Sequence, residues 1–296
     1  VQMINDKIQP FFTRTTKNEL GVPPTNPDKI IDVAASFEEQ KLFDIILSKY
    51  KSNQLALFAK IMQLESSPSL LLETLDLKEF EDMLDLSANH EDFVEYQDYS
   101  KDIEDLVDKI ERPSKMNALL QLVDQIVSES KTAIVWCIFI RTMYKLKSDL
   151  NKMGIRAEVI SGSVSQEERS EIINKFKSKE IDILITNPHT LAESVSLHQT
   201  CHDAIYFEYS YNLVHLLQSK DRIHRLGLDP NDYTQYYYLQ QSYPMEQGNY
   251  SLGERIYKRL SEKEQLMLDA IDKHELEILP TENEDLAFFF AQVIDK

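Results

Sequence analysis

From residue 113 to residue 239 short apolar runs alternate with amphipathic segments of helical period, and this alternation leaves few folds open. A helix over 116–128 precedes a strand-like run over 132–140. A second helix ends near Gly154 and is followed by a short strand over 156–160. After the loop Ser161-Gly162-Ser163 come a helix over 166–177, a strand over 181–186 and a helix starting near His189. A strand over 204–208, a helix over 212–225 and a strand over 233–239 complete the series. Strands separated by helices cannot pair as tight hairpins. They return in parallel through right-handed crossovers, so the class is α/β, with helices on both faces of a parallel sheet.

The flanks read differently, and four regions result: 1–30, 31–112, 113–245 and 246–296. Pro10, Pro23, Pro24 and Pro27 mark the first as a connector. The second is mostly helical. Ser36 with Glu39 three residues later forms a capping box, and Leu42, Ile45 and Ile46 follow at helical spacing. Leu55, Phe58, Ile61 and Met62 continue the pattern to Pro68, and Leu77, Phe80, Met83 and Leu84 resume it. In the last region Leu252, Ile256 and Leu260, then Leu266, Ala270 and Ile271, describe a long amphipathic helix able to brace the sheet.

Charge bears on possible partners. The net charge is −18, but residues 73–111 hold fifteen Asp or Glu against three Lys, leaving the remainder only about six charges negative. An acidic total therefore does not exclude nucleic acid, because a local basic groove remains possible. The run 133–140 is too short to span a bilayer. Two cysteines, with Cys137 inside an apolar run, suit a reducing cytoplasm. Val1 is no initiator methionine, so we expect a fragment of a longer protein.

The richest chemistry lies in Gln218-Ser-Lys-Asp-Arg222-Ile-His-Arg225-Leu-Gly227. On a helix, positions 218, 222 and 225 share a face and present one amide and two guanidiniums just before a glycine stop. Two fixed forks of N–H donors suit a developing phosphoryl charge. The plainer alternative is a surface helix with an Asp221–Arg225 pair at i, i+4.

The pattern Gln218, Arg222, Arg225, Gly227 resembles the closing motif of the second RecA-like lobe of superfamily two helicases, and more closely of Swi/Snf-type DNA translocases. The resemblance runs in order along the chain. Phe11-Phe12-Thr-Arg14-Thr-Thr-Lys17 is similar to the segment leaving the first lobe, and Gln40 stands where the family has a glutamine. Lys60 to Leu71, with Gln63 and Pro68, resembles the inter-lobe helices of bacterial members, and Ser114-Lys115 the opening of the second lobe. Ser161-Gly162-Ser163 with Arg169 and Phe176 resembles the Gly-Ser loop and its helix; Glu254, Tyr257 and Lys263 resemble the brace helix.

The resemblance implies a RecA-like sheet and a set of roles. Arg222 and Arg225 would be arginine fingers with Gln218 in support, and Glu193, Ser194 and Gly227 would face nucleotide. Ser161, Gly162, Ser163, Thr186 and Asn187 would meet the DNA backbone, contacts that position without reading sequence. ATP and Mg²⁺ would be held mainly by the first lobe, and the partners would be that lobe, double-stranded DNA and, through the acidic helices, other proteins. Departures occur at Ser194 and Ser196, where the family has Gly and Asn, at Leu228 and at Leu252-Gly253. No Gly-x-x-x-x-Gly-Lys-Ser/Thr loop and no Asp-Glu-x-His segment occurs in the 296 residues, so this chain alone is expected not to turn ATP over. The alternative is a non-catalytic docking module derived from such a lobe.

Weaker signals have plainer readings. His198, Cys201 and His202, with His189, fit no strong zinc spacing and read as loop polar groups. We read Trp136 and Phe139 as core, and Tyr233, Tyr236, Tyr237 and Tyr238 as strand packing in preference to base stacking.

Overall fold

A computed structural model describes residues 15–73, 101–188, 190–191, 195–272, 279–291 and 293. The chain opens with β1 (Lys29–Ala34), α1 (Phe37–Tyr50), α2 (Gln54–Ser66), a 3-10 turn (Pro68–Leu72) and α3 (Lys101–Val107). The alternating region follows as α4 (Ser114–Ser128), β2 (Ala133–Trp136), α5 (Ile140–Lys152), β3 (Ala157–Ile160), α6 (Gln166–Lys177) and β4 (Ile183–Thr186). It continues through β5 (Asp203–Tyr206), α7 (Leu213–Lys220), β6 (Gln235–Met245) and β7 (Gly248–Tyr250) to α8 (Leu252–Asp272) and α9 (Glu282–Phe290).

The sheet runs β1-β6-β5-β2-β4-β3, with every neighbouring pair parallel, and β7 adds antiparallel to β6. Because side chains alternate along a strand, each central strand feeds two cores. Ala133, Val135, Ile183, Ile185 and Ile205 pack with Leu119 and Val123 of α4 and Leu146 and Leu150 of α5. Ile134, Trp136, Leu184, Ala204 and Tyr206 pack the opposite way, with Phe176 of α6, Leu216 of α7 and Leu252, Ile256 and Leu260 of α8. The expected RecA-like sheet covered on both faces is what the chain forms. Trp136, Phe139, Tyr236 and Tyr238 are core side chains, as their patterns indicate.

The helical region is built onto the second of these cores. Ser36 and Glu39 form the capping box, and the same Glu39 carboxylate also accepts from the backbone N (2.8 Å) and hydroxyl (2.6 Å) of Ser114. One side chain thus caps α1 and ties it to the start of α4. Phe43 lies flat on Tyr243, ring centroids 4.1 Å apart and planes 11° from parallel. Gly253 lets α8 approach the sheet, since a Cβ there would stand 3.1 Å from the Tyr209 hydroxyl and 3.3 Å from Gln240. That contact accounts for glycine at this departure from the family pattern.

Two elements differ from expectation. β1 is a true strand, pairing Lys29 with Tyr237 through Ala34 with Ser242, although it stands at an edge and shows no clean alternation. β6 runs on to Met245 and turns back as β7, a hairpin hidden in a stretch without a strong turn signature. Between β4 and β5 the helix expected from near His189 falls on a stretch whose residues 189 and 192–194 lie outside the described residues. Ahead of it the Asn187 Oδ1 accepts from Thr190 N at 2.6 Å and the Asn187 carbonyl from Leu191 N at 3.2 Å, the pair of bonds that a helix N-cap makes. The helical pattern of Leu77, Phe80, Met83 and Leu84, His189 itself, and Phe11, Phe12 and Arg14 lie outside the described residues.

A buried ion pair joins the helical region to the lobe: Glu65 of α2 stands 3.6 Å from Lys115 of α4, both side chains almost wholly enclosed. Burial pushes the Glu65 carboxyl up to about 7, although the Lys115 ammonium pulls it down. The folded chain therefore keeps a proton that the unfolded chain releases near its ordinary 4.5. This group's stabilisation is complete below that value and is lost as pH rises through 7. Melting temperature followed from pH 5 to 8 should fall, and Glu65→Gln should flatten the slope by close to one proton per chain.

Candidate nucleotide-facing and backbone-binding site

α7 starts on a side-chain cap, Asn212 Oδ1 accepting from His215 N at 3.1 Å, and stops at Lys220 with Asp221 as its C-cap. Arg222 and Arg225 consequently lie on an irregular turn, where the sequence had suggested a continuing helix face. The turn is held from outside. Leu197 N donates to Arg222 O at 2.9 Å, while Ile223 is wholly buried beneath it. His224 Nε2 bonds Pro23 O at 2.9 Å, and Lys17 Nζ donates to His224 O at 2.6 Å and pairs with Asp221. Gly227 closes the turn at φ +96°, a conformation that favours glycine, and any Cβ there would meet His198 Nε2 at 3.1 Å.

Despite the lost helix, the three expected residues stay together. Gln218, Arg222 and Arg225 line one cavity of about 340 Å³ with Lys17, Asp221 and Leu226. Arg222 and Arg225 are half-buried and Gln218 is exposed. Arg225 has no ion pair among the described residues, and the Asp221–Arg225 pair of the plainer reading is replaced by Lys17–Asp221. Three cationic side chains against one engaged carboxylate suit an anion such as a phosphate group, and supply no set of acidic ligands for a metal ion.

His198 is a feature that spacing alone did not reveal as part of this site. It is buried, and burial first, then the Arg225 guanidinium, hold its pKa below the ordinary value. The imidazole is thus held neutral as a packing surface for the turn. Among the described residues no group of three His, Cys, Asp or Glu could hold a metal. Cys201 donates its thiol hydrogen toward Asp203 O at 3.2 Å, away from metal chemistry.

The loops after β3 and β4 form the second cluster, brought side by side because Ile160 pairs with Thr186. Gly162 and Ser163 are exposed, whereas Ser161 is fully buried, 2.9 Å from the Ser163 hydroxyl. Thr186 is also fully buried, and its hydroxyl donates to Ile160 O at 2.8 Å. That bond ties the end of β4 to the end of β3. Asn187 is half-buried with its carbonyl oxygen on Thr190 N, and Arg169 of α6 donates to Thr190 O at 3.0 Å. Glu193 and Ser194 lie outside the described residues; Leu191 and Leu197 on either side are buried.

Residues 114–227, the span holding both clusters, match the helicase conserved C-terminal domain. Within this chain that span is similar to a helicase C-terminal domain. The chain is 21% identical over 243 residues to YwqA of Bacillus subtilis (strain 168), described provisionally as an ATP-dependent helicase/translocase, covering 77% of this chain and 23% of that protein. It is 27% identical over 125 residues to the ATP-dependent RNA helicase DBP3 of Lodderomyces elongisporus, covering 42% of this chain and 22% of that one. The chain thus spans about a quarter of the length of the curated relatives it matches. Among solved structures, the C-terminal part of the Fun30 ATPase domain superposes with TM-score 0.57 at 16% identity, covering 87% of this chain and all (100%) of that one. The Sulfolobus solfataricus SWI2/SNF2 ATPase core in complex with dsDNA gives 0.55 at 17% identity, covering 97% of this chain and 55% of that one. At such identities the likeness shows the fold alone, the one also seen in the C-terminal part of the Fun30 ATPase domain.

Proposed function

We propose that the chain is the second motor lobe of an ATP-dependent DNA translocase of Swi/Snf type, working against a first lobe that holds ATP and Mg²⁺. The observation that carries the reading is the single cavity where Gln218, Arg222 and Arg225 converge on a turn fixed from three sides. ATP supplies the phosphoryl group. The two guanidiniums would donate to its γ-phosphate oxygens as charge builds there, Gln218 would steady them, and Gly227 would keep the turn tight. Glu193 and Ser194 would lie toward the nucleotide by their place in the sequence.

Grip on double-stranded DNA is assigned to the paired loops, through the exposed Gly162 and Ser163 and the Asn187 amide, with Ser161 and Thr186 shaping them. Such contacts are independent of sequence. The segment 187–200 joins those loops to the finger turn, bonded at one end to Asn187 and at the other to Arg222, which supports mechanical coupling of DNA grip to hydrolysis. No described helix is long and apolar enough to cross a membrane, and a bacterial cytoplasm is the proposed setting.

In the protein that includes lobe one, Ser163→Glu should place a carboxylate against the phosphate backbone and weaken double-stranded DNA binding by about tenfold. The loss should shrink as salt rises. Fluorescence anisotropy with duplex DNA measures this, and an unchanged affinity at low salt would remove the loop from the DNA interface.

A further inference from the structure

We infer that Lys17 is a positioning residue for the arginine turn, keeping Asp221 from capturing Arg225. The inference rests on the reading of Arg222 and Arg225 as fingers, but its structural core stands apart from it. Among the described residues, Asp221 is the one carboxylate lining the cavity that Arg222 and Arg225 share. It stands four residues before Arg225, and because α7 has ended, the turn leaves the arginine side chain room to fold back. A carboxylate paired with Arg225 would hold that guanidinium inside the cavity and cancel the charge a phosphate needs.

The structure shows another pairing. The Lys17 ammonium takes the Asp221 carboxylate and donates to His224 O at 2.6 Å, while Pro23 O holds the His224 ring at 2.9 Å. Two of the external ties on the turn therefore come from the connector, residues 17 and 23, and not from the lobe's own sheet. The Lys17 and Asp221 side chains are 40% and 57% exposed, so the pair adds little to stability. Its consequence is a choice of partner: with Lys17 present Arg225 stays available, and without it Asp221 competes for Arg225. The connector that leads out of lobe one thereby sets whether the finger is free.

The test compares wild type, Lys17→Met, Lys17→Arg and the double variant Lys17→Met with Asp221→Asn. In this chain, hydrogen exchange of the Arg225 Nε–H is read by NMR. Lys17→Met should slow it by about tenfold as Asp221 closes on the guanidinium, and Lys17→Arg and the double variant should restore wild-type exchange. Arg225 exchange unchanged in Lys17→Met overturns the inference. In the protein that includes lobe one, Lys17→Met should lower kcat by about tenfold at unchanged KM, and removing the Asp221 charge as well should recover the rate. A purely structural loss would persist in the double variant, and that result also overturns the inference. If the wild-type two-lobe protein hydrolyses no ATP, the finger reading fails, and the exchange measurement still decides between Lys17 and Arg225 as the partner of Asp221.

Discussion

Replacing Arg222 by alanine in the two-lobe protein should lower the rate of DNA-stimulated ATP hydrolysis by about three orders of magnitude, the usual contribution of an arginine finger. Duplex DNA affinity should change far less, because the paired loops proposed to grip DNA are separate from the finger cavity. The size of the effect follows from geometry. Arg222 is half-buried on a turn whose carbonyl is pinned by Leu197 and whose floor is the buried Ile223, so its guanidinium is directed without local helix support. A preorganised donor stabilises developing charge at little reorganisation cost, and alanine leaves that charge to water. Arg225→Ala should reduce hydrolysis by a comparable factor. Steady-state kcat at saturating duplex, with binding measured in parallel, checks both. Normal hydrolysis in both variants would return the chain to the docking-module reading.

Replacing Phe43 by alanine should unfold the helical region more readily than any surface change, costing about 4 kcal/mol. Phe43 is wholly buried, stacked on Tyr243, and 5.4 Å from the Tyr250 ring, so alanine leaves a cavity between α1 and the β6–β7 hairpin. The melting temperature should drop by about 10 °C. Phe43→Leu, which keeps more of the volume, should lose well under half of that. A drop of less than about 2 °C for alanine would mean that α1 is held chiefly by the Glu39 cap on Ser114. The effect reaches the site, because α1 continues from β1, and β1 continues from the connector that carries Lys17 and Pro23.

Local rules made the central lobe readable. β2 to β5 are near-continuous apolar runs buried on both faces, and Ser36 and Ser165 begin their helices with capping boxes. What escaped the sequence depended on distant partners. β1 becomes a strand because β6 offers it an edge, not through its own alternation. α7 ends five residues before Arg225 because Asp221, His224 and Arg222 are engaged by residues 17, 23 and 197. For the site, the residue types at 218, 222 and 225 were legible, but their shared face was a turn and not a helix. His198 and Lys17, both beside that turn, became part of the site only once the chain was folded.

In the proposed function, Arg222 and Arg225 reach across to a nucleotide held by another lobe. A structure of the two-lobe protein on duplex DNA, trapped with ADP and aluminium fluoride in place of the transferring phosphoryl group, measures that reach. A guanidinium nitrogen of Arg222 or Arg225 should stand about 2.8 Å from a fluoride at the γ position. Closed lobes with both guanidiniums more than about 6 Å from that position would contradict it.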